Sequence, residues 1–298
     1  MWKNRKTVLL TFAMAFVLSF LGAQENQSLR VMTYNIWNGF DWGKDTDRKA
    51  NAIQWIKSKK PDVLALQEMC GYDEQQLKKD AQQWGHPYVQ LLKSEGYPTA
   101  LTSNKPIVLK ERALDSFWHG LLHCSTYGID FFVIHLSPFD SGIRLDEARQ
   151  ITERIQNLKN NRYIILGDFN AFSPMDASWM EKKDALRRQY AENKNKEYSN
   201  LREGEFDYAV LSEFLAAPSI DVCLGKIDLK QGTSYPTKVF TNPNDKKSGA
   251  SAKGRRIDFI LSSPSLTKHC IKAQVYNQEE THLLSDHYPI MAEYQIAQ

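Results

Sequence analysis

The chain has 298 residues, 42% of them hydrophobic, 11% aromatic and 24% charged, with 15 Gly and 11 Pro. These values exclude a disordered, collagen-like or low-complexity chain and leave material for one or two packed domains. The formal net charge of +3 would make the protein mildly basic, but its first segment changes that figure.

That segment opens Met1-Trp2-Lys3-Asn4-Arg5-Lys6, continues with an uncharged and mostly apolar run from Thr7 to Leu21, and ends Gly22-Ala23-Gln24. A basic start, a short apolar stretch and a small residue at the end have the pattern of a secretory signal peptide. The run is shorter than the roughly 18 residues expected of a spanning helix. Residues 1–23 are therefore expected to be a signal peptide cleaved near Ala23, and 24–298 one catalytic domain, periplasmic or extracellular. Losing Lys3, Arg5 and Lys6 leaves 35 basic residues (38 less 3) against 35 acidic ones. A mature chain of zero net charge carries no global attraction for nucleic acid. Cys70, Cys124, Cys223 and Cys270 form no C-x-x-C pair, and a chain of this size needs no staples, so buried free thiols are expected.

Strands and helices then alternate without a repeat. Arg30 to Tyr34 favours a strand and ends in Asn35. Asp47 to Lys59 carries Ala50, Ile53 and Ile56 at helical spacing before Pro61. Val63 to Leu66 reads as a buried strand delivering Gln67-Glu68, and Tyr72 to Gly85 as a polar amphipathic helix. Ile107 to Ala113 and Ile129 to Ile134 read as strands, the second delivering His135. Ser141 to Leu158 is helical, and Tyr163 to Leu166 is a strand delivering Gly167-Asp168-Phe169-Asn170. Met175 to about Ala216 is helix-rich, and Asn242 to Gly254 is a polar loop. Ile257 to Leu261 and Tyr288 to Tyr294 are the last strands.

Polar residues recur at the ends of these apolar strands: Asn35, Glu68, His135, Asp168 with Asn170, Asp258, and the pair Asp286-His287. Each by itself reads as a turn or cap residue. Together they form one set of hard carboxylate oxygens, amides and imidazoles, held where a sheet keeps groups rigid yet exposed. Carboxylates without thiolate ligands favour Mg2+ or Mn2+, and imidazoles beside them suit phosphate oxygens or proton transfer near neutral pH.

In this order the motifs resemble the endonuclease/exonuclease/phosphatase superfamily, which includes deoxyribonuclease I, exonuclease III-type enzymes, sphingomyelinases and inositol polyphosphate 5-phosphatases. The resemblance runs from Val31 to Ala292. It implies a four-layer α/β/β/α sandwich of two packed mixed β-sheets, with the site at the edge where the sheet ends meet. It implies Glu68 and Asp286 as metal-site carboxylates and Asn35 as support for the metal or the scissile phosphate. Asp168 would orient or deprotonate the attacking water, and Asn170 would hold it. His287 and His135 would contact the phosphate, with Asp258 orienting His287. The cofactor would be Mg2+, with Mn2+ or Ca2+ as alternatives. His135 fits the two-histidine branches and departs from abasic-site endonucleases, which carry tyrosine in that role.

Other features leave alternatives open. Tyr235, in Ser234-Tyr235-Pro236-Thr237, and Arg256 are candidate substrate contacts, and Arg256 also suits an ion pair with Asp258. The stretch from Lys246 to Arg256 has five basic residues and no acid, either a cationic lip for a phosphate or a solvated loop. Trp37, Phe40 and Trp42 suit an aromatic wall or core packing. His119 and His123 have the spacing of two ligands on a helix face, but no H-E-x-x-H is present and Gly120 weakens a helix, so a structural role is expected. His86, His269 and His282 read as surface or hydrogen-bonded polar residues. The expected activity is phosphoester hydrolysis by metal-assisted in-line attack of water. The substrate would be a nucleic acid, a lipid head group or a small phosphodiester, and the enzyme a monomer with no obligate protein partner. A non-catalytic binding protein on the same fold is the alternative.

Overall fold

A computed structural model describes residues 26–195, 199–240 and 254–297. Residues 1–25, with the segment expected to be a signal peptide, and the basic stretch from Lys246 to Lys253 lie outside the described residues. The strands, in chain order, are β1 (Asn26–Asn35), β2 (Val63–Gln67), β3 (Tyr88–Leu91), β4 (Ala100–Ser103), β5 (Val108–Ala113), β6 (Leu121–Thr126) and β7 (Ile129–His135). They continue with β8 (Tyr163–Asp168), the hairpin β9 (Leu201–Arg202) and β10 (Glu205–Phe206), β11 (Ile220–Asp221), β12 (Asp258–Ser262), β13 (Cys270–Val275) and β14 (Ile290–Ala297).

Two six-stranded mixed sheets result, ordered β13-β14-β1-β2-β4-β3 and β11-β12-β8-β7-β6-β5. Alternation along the central strands decides how they stack. Leu29 and Val31 of β1, Phe131 and Val133 of β7, and Ile164 and Leu166 of β8 share the core between the sheets. The intervening residues face outward. Met32 and Tyr34 meet Ala52, Ile53 and Ile56 of the helix Thr46–Lys59. Phe132, Ile134 and Ile165 meet Ala148 and Ile151 of the helix Ser141–Gln156 and Phe214 of the helix Ala209–Ala216. The layers are therefore helix, sheet, sheet, helix, the expected sandwich.

Each sheet is antiparallel except for one central parallel pair closed by a crossover helix. β1 and β2 pair in parallel with Asn35 opposite Gln67, and β7 and β8 with His135 opposite Asp168. The carboxyl ends of both pairs point the same way, so the four strand ends carry their polar residues to one edge. Gly167 makes this possible in the second sheet: its φ is +144°, and a Cβ there would lie 1.9 Å from the carbonyl oxygen of Ile134.

Several boundaries differ from expectation. The last strand starts at Ile290 because residues 285–288 turn aside to pair with the 234–237 segment: Tyr288 N donates to Ser234 O (2.7 Å) and Thr237 N to Asp286 O (2.9 Å). The 175–216 region is broken into short helices around the β9–β10 hairpin. His119 and His123 are not on a helix: His123 belongs to β6 and His119 to the loop before it. All four cysteines are buried and free.

Candidate active site

The strand ends open into a cavity of about 590 Å³, lined among others by Glu68, His135, Asp168, Asn170, Tyr235, Asp286 and His287. At its floor Asn35 is almost fully buried, and its Nδ2 donates to Glu68 Oε1 and to Asp168 Oδ2, both at 3.2 Å. Its oxygen accepts from Trp37 N (3.0 Å). Asn35, expected to support the metal or the scissile phosphate, turns its nitrogen to the two carboxylates and braces them against each other. Glu68 is fixed by a second bond, from Asn38 N to Oε2 at 2.7 Å. The residues behind that bond, from Trp37 to Trp42, form a left-handed turn, with Gly39 so close to Cys70 that a Cβ would sit 1.9 Å from its carbonyl oxygen. Glu68 and Asn170 also have positive φ, +59° and +48°. Such conformations cost about 1–3 kcal/mol each and persist where surrounding structure enforces them.

The second group is built on β8 and β12. Asp258 lies opposite Asp168 in the antiparallel ladder. Ser234 Oγ accepts from the amides of Ile257 and Asp258, at 3.0 and 3.1 Å, and locks the start of β12. His287 Nδ1 is 2.8 Å from Asp258 Oδ2. The Nε2 atoms of His287 and His135 lie 3.7 and 3.6 Å from Asp168 Oδ2. Asn170 N donates to Asp168 Oδ1 (2.9 Å), and Asn170 Nδ2 to Leu136 O (3.1 Å).

The two imidazoles, alike in distance from Asp168, differ in charge. Burial disfavours the charged form of His287, but the Asp258, Asp286 and Asp168 carboxylates outweigh it and hold the ring protonated well above its ordinary range. Burial, helped by the positive His287, pushes His135 down to about 3, and its Nδ1 is buried with no hydrogen-bond partner. Burial raises Asp168, with Asp258 adding to the effect and His287 opposing it. Asp286 rises to about 6 through burial, opposed by His287 and aided by Glu68.

Four carboxylates thus converge with one charged imidazole. Asp168, Asp258 and His287 offer ligand atoms within 4.8 Å of one another, an arrangement compatible with a metal. In that trio Asp258 is already engaged by His287. Glu68 and Asp286 are the carboxylates that line the cavity outside the imidazole pair, and their hard oxygens and the net negative charge fit a divalent cation such as Mg2+.

Arg256 does not reach this site. Its side chain is fully buried, with Nε donating to Asp176 Oδ2 (3.0 Å) and an NH2 nitrogen to Asp221 Oδ2 (2.7 Å). The expected substrate contact, and the expected pairing with Asp258, are both replaced by this buried triad. Among the described residues the arginine that lines the cavity is Arg255, whose guanidinium lies 4.6 Å from the Tyr235 ring and 5.9 Å from Tyr190. Tyr235 lines the cavity with its ring centroid 4.7 Å from that of His287.

The structure adds His119, which stacks on His135 with centroids 4.2 Å apart and lines the same cavity. Burial holds His119 neutral, at about 2. His123 is elsewhere, bonded to Asp130 (2.8 Å) and stacked on Phe132. Of the three aromatics after Asn35, Trp37 lines the cavity, Phe40 joins the core and Trp42 is half exposed. His86 is a buried, doubly hydrogen-bonded residue, His269 is exposed and His282 bonds Tyr288.

The sequence profile of the Endonuclease/Exonuclease/phosphatase family matches residues 32–287. No curated protein matches the chain at the sequence level. Among solved structures, the fold is similar to an AP endonuclease from Archaeoglobus fulgidus, with a TM-score of 0.66 and 22% identity over 90% of this chain and 100% of that one. It is also similar to a 3'-5' exonuclease from Neisseria Meningitidis, with a TM-score of 0.59 and 18% identity over the same shares. At these identities the likeness is one of fold.

Proposed function

Since the chain belongs to the Endonuclease/Exonuclease/phosphatase family, we propose that it is a divalent-metal-dependent phosphodiesterase that cleaves its substrate by in-line attack of water. The observation that carries this reading is the convergence of the Asp258–His287 pair, Asp168, and the Glu68 and Asp286 carboxylates at one cavity floor. Glu68 and Asp286 would hold the cation, with Asn35 fixing Glu68. Bound there, Mg2+ would offset the charge that builds on the phosphate oxygens.

The chain's own groups do the rest. Asp168, whose carboxyl binds a proton more readily than usual, takes the proton of the attacking water, and Asn170 orients that water. His287, charged and anchored through Nδ1, donates from Nε2 to a phosphate oxygen. His135, neutral, acts as a second ring contact on the phosphate from the opposite side of Asp168. Tyr235 flanks the group bound at His287. Export, with cleavage near Ala23, belongs to the same proposal, and the mass of the secreted amino terminus checks it.

The test is hydrolysis of bis(p-nitrophenyl) phosphate by the purified protein with Mg2+, Mn2+ or Ca2+, with and without chelator. Glu68→Ala and His287→Ala should each abolish metal-dependent turnover, and full activity in both would overturn the reading. Turnover by the wild type would also exclude a purely binding role. The fold neighbours named above make DNA one member of the substrate panel, beside RNA, phospholipids and sugar phosphates.

A further inference from the structure

On one side of the cavity, rings follow one another from solvent to floor. Trp42 meets Tyr97 at 6.1 Å, Tyr97 meets His119 at 5.5 Å, and His119 meets His135 at 4.2 Å. Their exposure falls along the series, 49%, 36%, 7% and 5%. Beside them Trp118 packs on Phe139 at 4.2 Å and is itself 50% exposed. Trp37, Tyr97, Trp118, Pro138 and Phe139 line this side, and none of them carries a charge.

Leaving such rings in water is unfavourable, and the fold holds them there rigidly. The buried Glu147 carboxylate accepts from Trp118 N (2.7 Å) and Ser137 N (2.8 Å), tying the two rim loops to one helix. Arg144, one turn earlier and fully buried, donates to the carbonyls of Ser137 and Phe139 and, across the mouth, to that of Ser199. The Tyr97 loop is tied by Met69 N donating to Pro98 O (2.9 Å). A buried acid and a buried arginine spent on shaping a half-exposed aromatic rim are the signature of a prepared contact surface.

We infer that Tyr97 and the Trp118–Phe139 pair form a subsite for the uncharged, ring-bearing organic group of the substrate, stacked on this wall while its phosphate reaches the floor. The inference rests on the phosphoesterase reading and adds a substrate class to it. A nucleobase, through its π face, and a sugar ring, through its C–H face, can both stack on an indole.

The test is calorimetric binding of three probes to the full chain with Mg2+: thymidine 5'-monophosphate, glucose 1-phosphate and methyl phosphate. In Trp118→Ala and Tyr97→Ala the Kd of a ring-bearing probe, divided by that of methyl phosphate, should rise about tenfold. Trp118→Leu, which keeps apolar bulk without the ring face, should behave like Trp118→Ala, and melting curves establish that each variant is folded. The probe that loses affinity tells base from sugar. An unchanged ratio, or a wild type that binds methyl phosphate as tightly as both ring-bearing probes, would overturn the subsite. Turnover of bis(p-nitrophenyl) phosphate is read separately, so a wild type that binds ring-bearing phosphates but cleaves nothing would sink the hydrolytic reading and leave the subsite standing.

Discussion

Replacing Arg256 by Leu separates the two roles open to this residue. In the structure its guanidinium is fully enclosed and is shared by Asp176 and Asp221, each 2% exposed. Removing it leaves two carboxylates buried with no cation. Breaking a buried pair on one side costs about 3–5 kcal/mol. An independent route gives the same size: neutralising one Asp of ordinary pKa 3.9 by protonation at pH 7 costs about 4 kcal/mol at 1.36 kcal/mol per unit. The melting temperature should fall by roughly 6–15 °C. The sign with pH follows: protonation becomes easier as pH falls, so the variant's deficit should shrink by about 1.4 kcal/mol for each unit between pH 7 and 5. Urea denaturation at both pH values measures this. Arg256→Met combined with Asp176→Asn and Asp221→Asn should recover more than half of the loss, because no charge is then left buried. A deficit below about 1 kcal/mol, accompanied by a raised KM, would refute the buried triad and return Arg256 to the substrate.

Three other outcomes are expected. Asp258→Asn removes the charge behind His287 and should lower kcat by about 10²–10⁴-fold in a protein that still folds; a kcat within about tenfold of the wild type would count against an orienting role. Gly167→Ala places a Cβ 1.9 Å from Ile134 O and should cost upwards of about 2 kcal/mol, read by thermal melting; an unshifted melt would contradict the close approach of β7 and β8. Burial lowers His86 to about 4 from 6.5, against the opposing pull of its hydrogen bond to the Pro61 carbonyl and of the Asp62 charge. Its folded pKa lies below its unfolded one, so its contribution is complete above pH 6.5 and disappears as pH falls towards 4, about 3 kcal/mol in all. His86→Gln should flatten that part of the pH–stability curve; an unchanged slope would show that other groups carry it.

The strand ends were legible because each follows a short, mostly apolar run, and burial of the run dictates where its polar terminus emerges. Asn35, Glu68, His135 and Asp168 all obey this. His119 was not legible by that route, since its four-residue spacing from His123 imitates a helix face. The usable signal was Tyr127-Gly128, a turn between two apolar runs. In the hairpin it closes, Leu121 pairs with Ile134, so the residues just before β6 must arrive beside His135. Arg256 was read as the substrate contact in place of Arg255 for a similar reason. The bridge between Tyr235 and Arg255 assigns the outward position to the first arginine, and no local periodicity reveals a pairing with a segment 20 residues away. Trp118 escaped notice because what holds it, Glu147 and Arg144, belongs to a helix whose polar residues look solvent-facing in the sequence.

Two imidazoles at equal distance from one carboxylate would be redundant if their surroundings were alike. They are not: behind His287 stands Asp258 at 2.8 Å, and behind His135 lies the neutral ring of His119. A carboxylate behind a ring stabilises its cation, whereas a neutral stacked ring in a dry setting stabilises none. The pair is therefore one charged and one uncharged donor, set by what backs each ring. Exchanging the two histidines' roles would require moving the charge of Asp258 from the start of β12 to the loop before β6. The antiparallel pairing of β12 with β8, which places Asp258 opposite Asp168, thus decides which side of the cavity carries the positive charge. The side backed by the neutral His119 ring is the one that continues through Tyr97 into the aromatic rim.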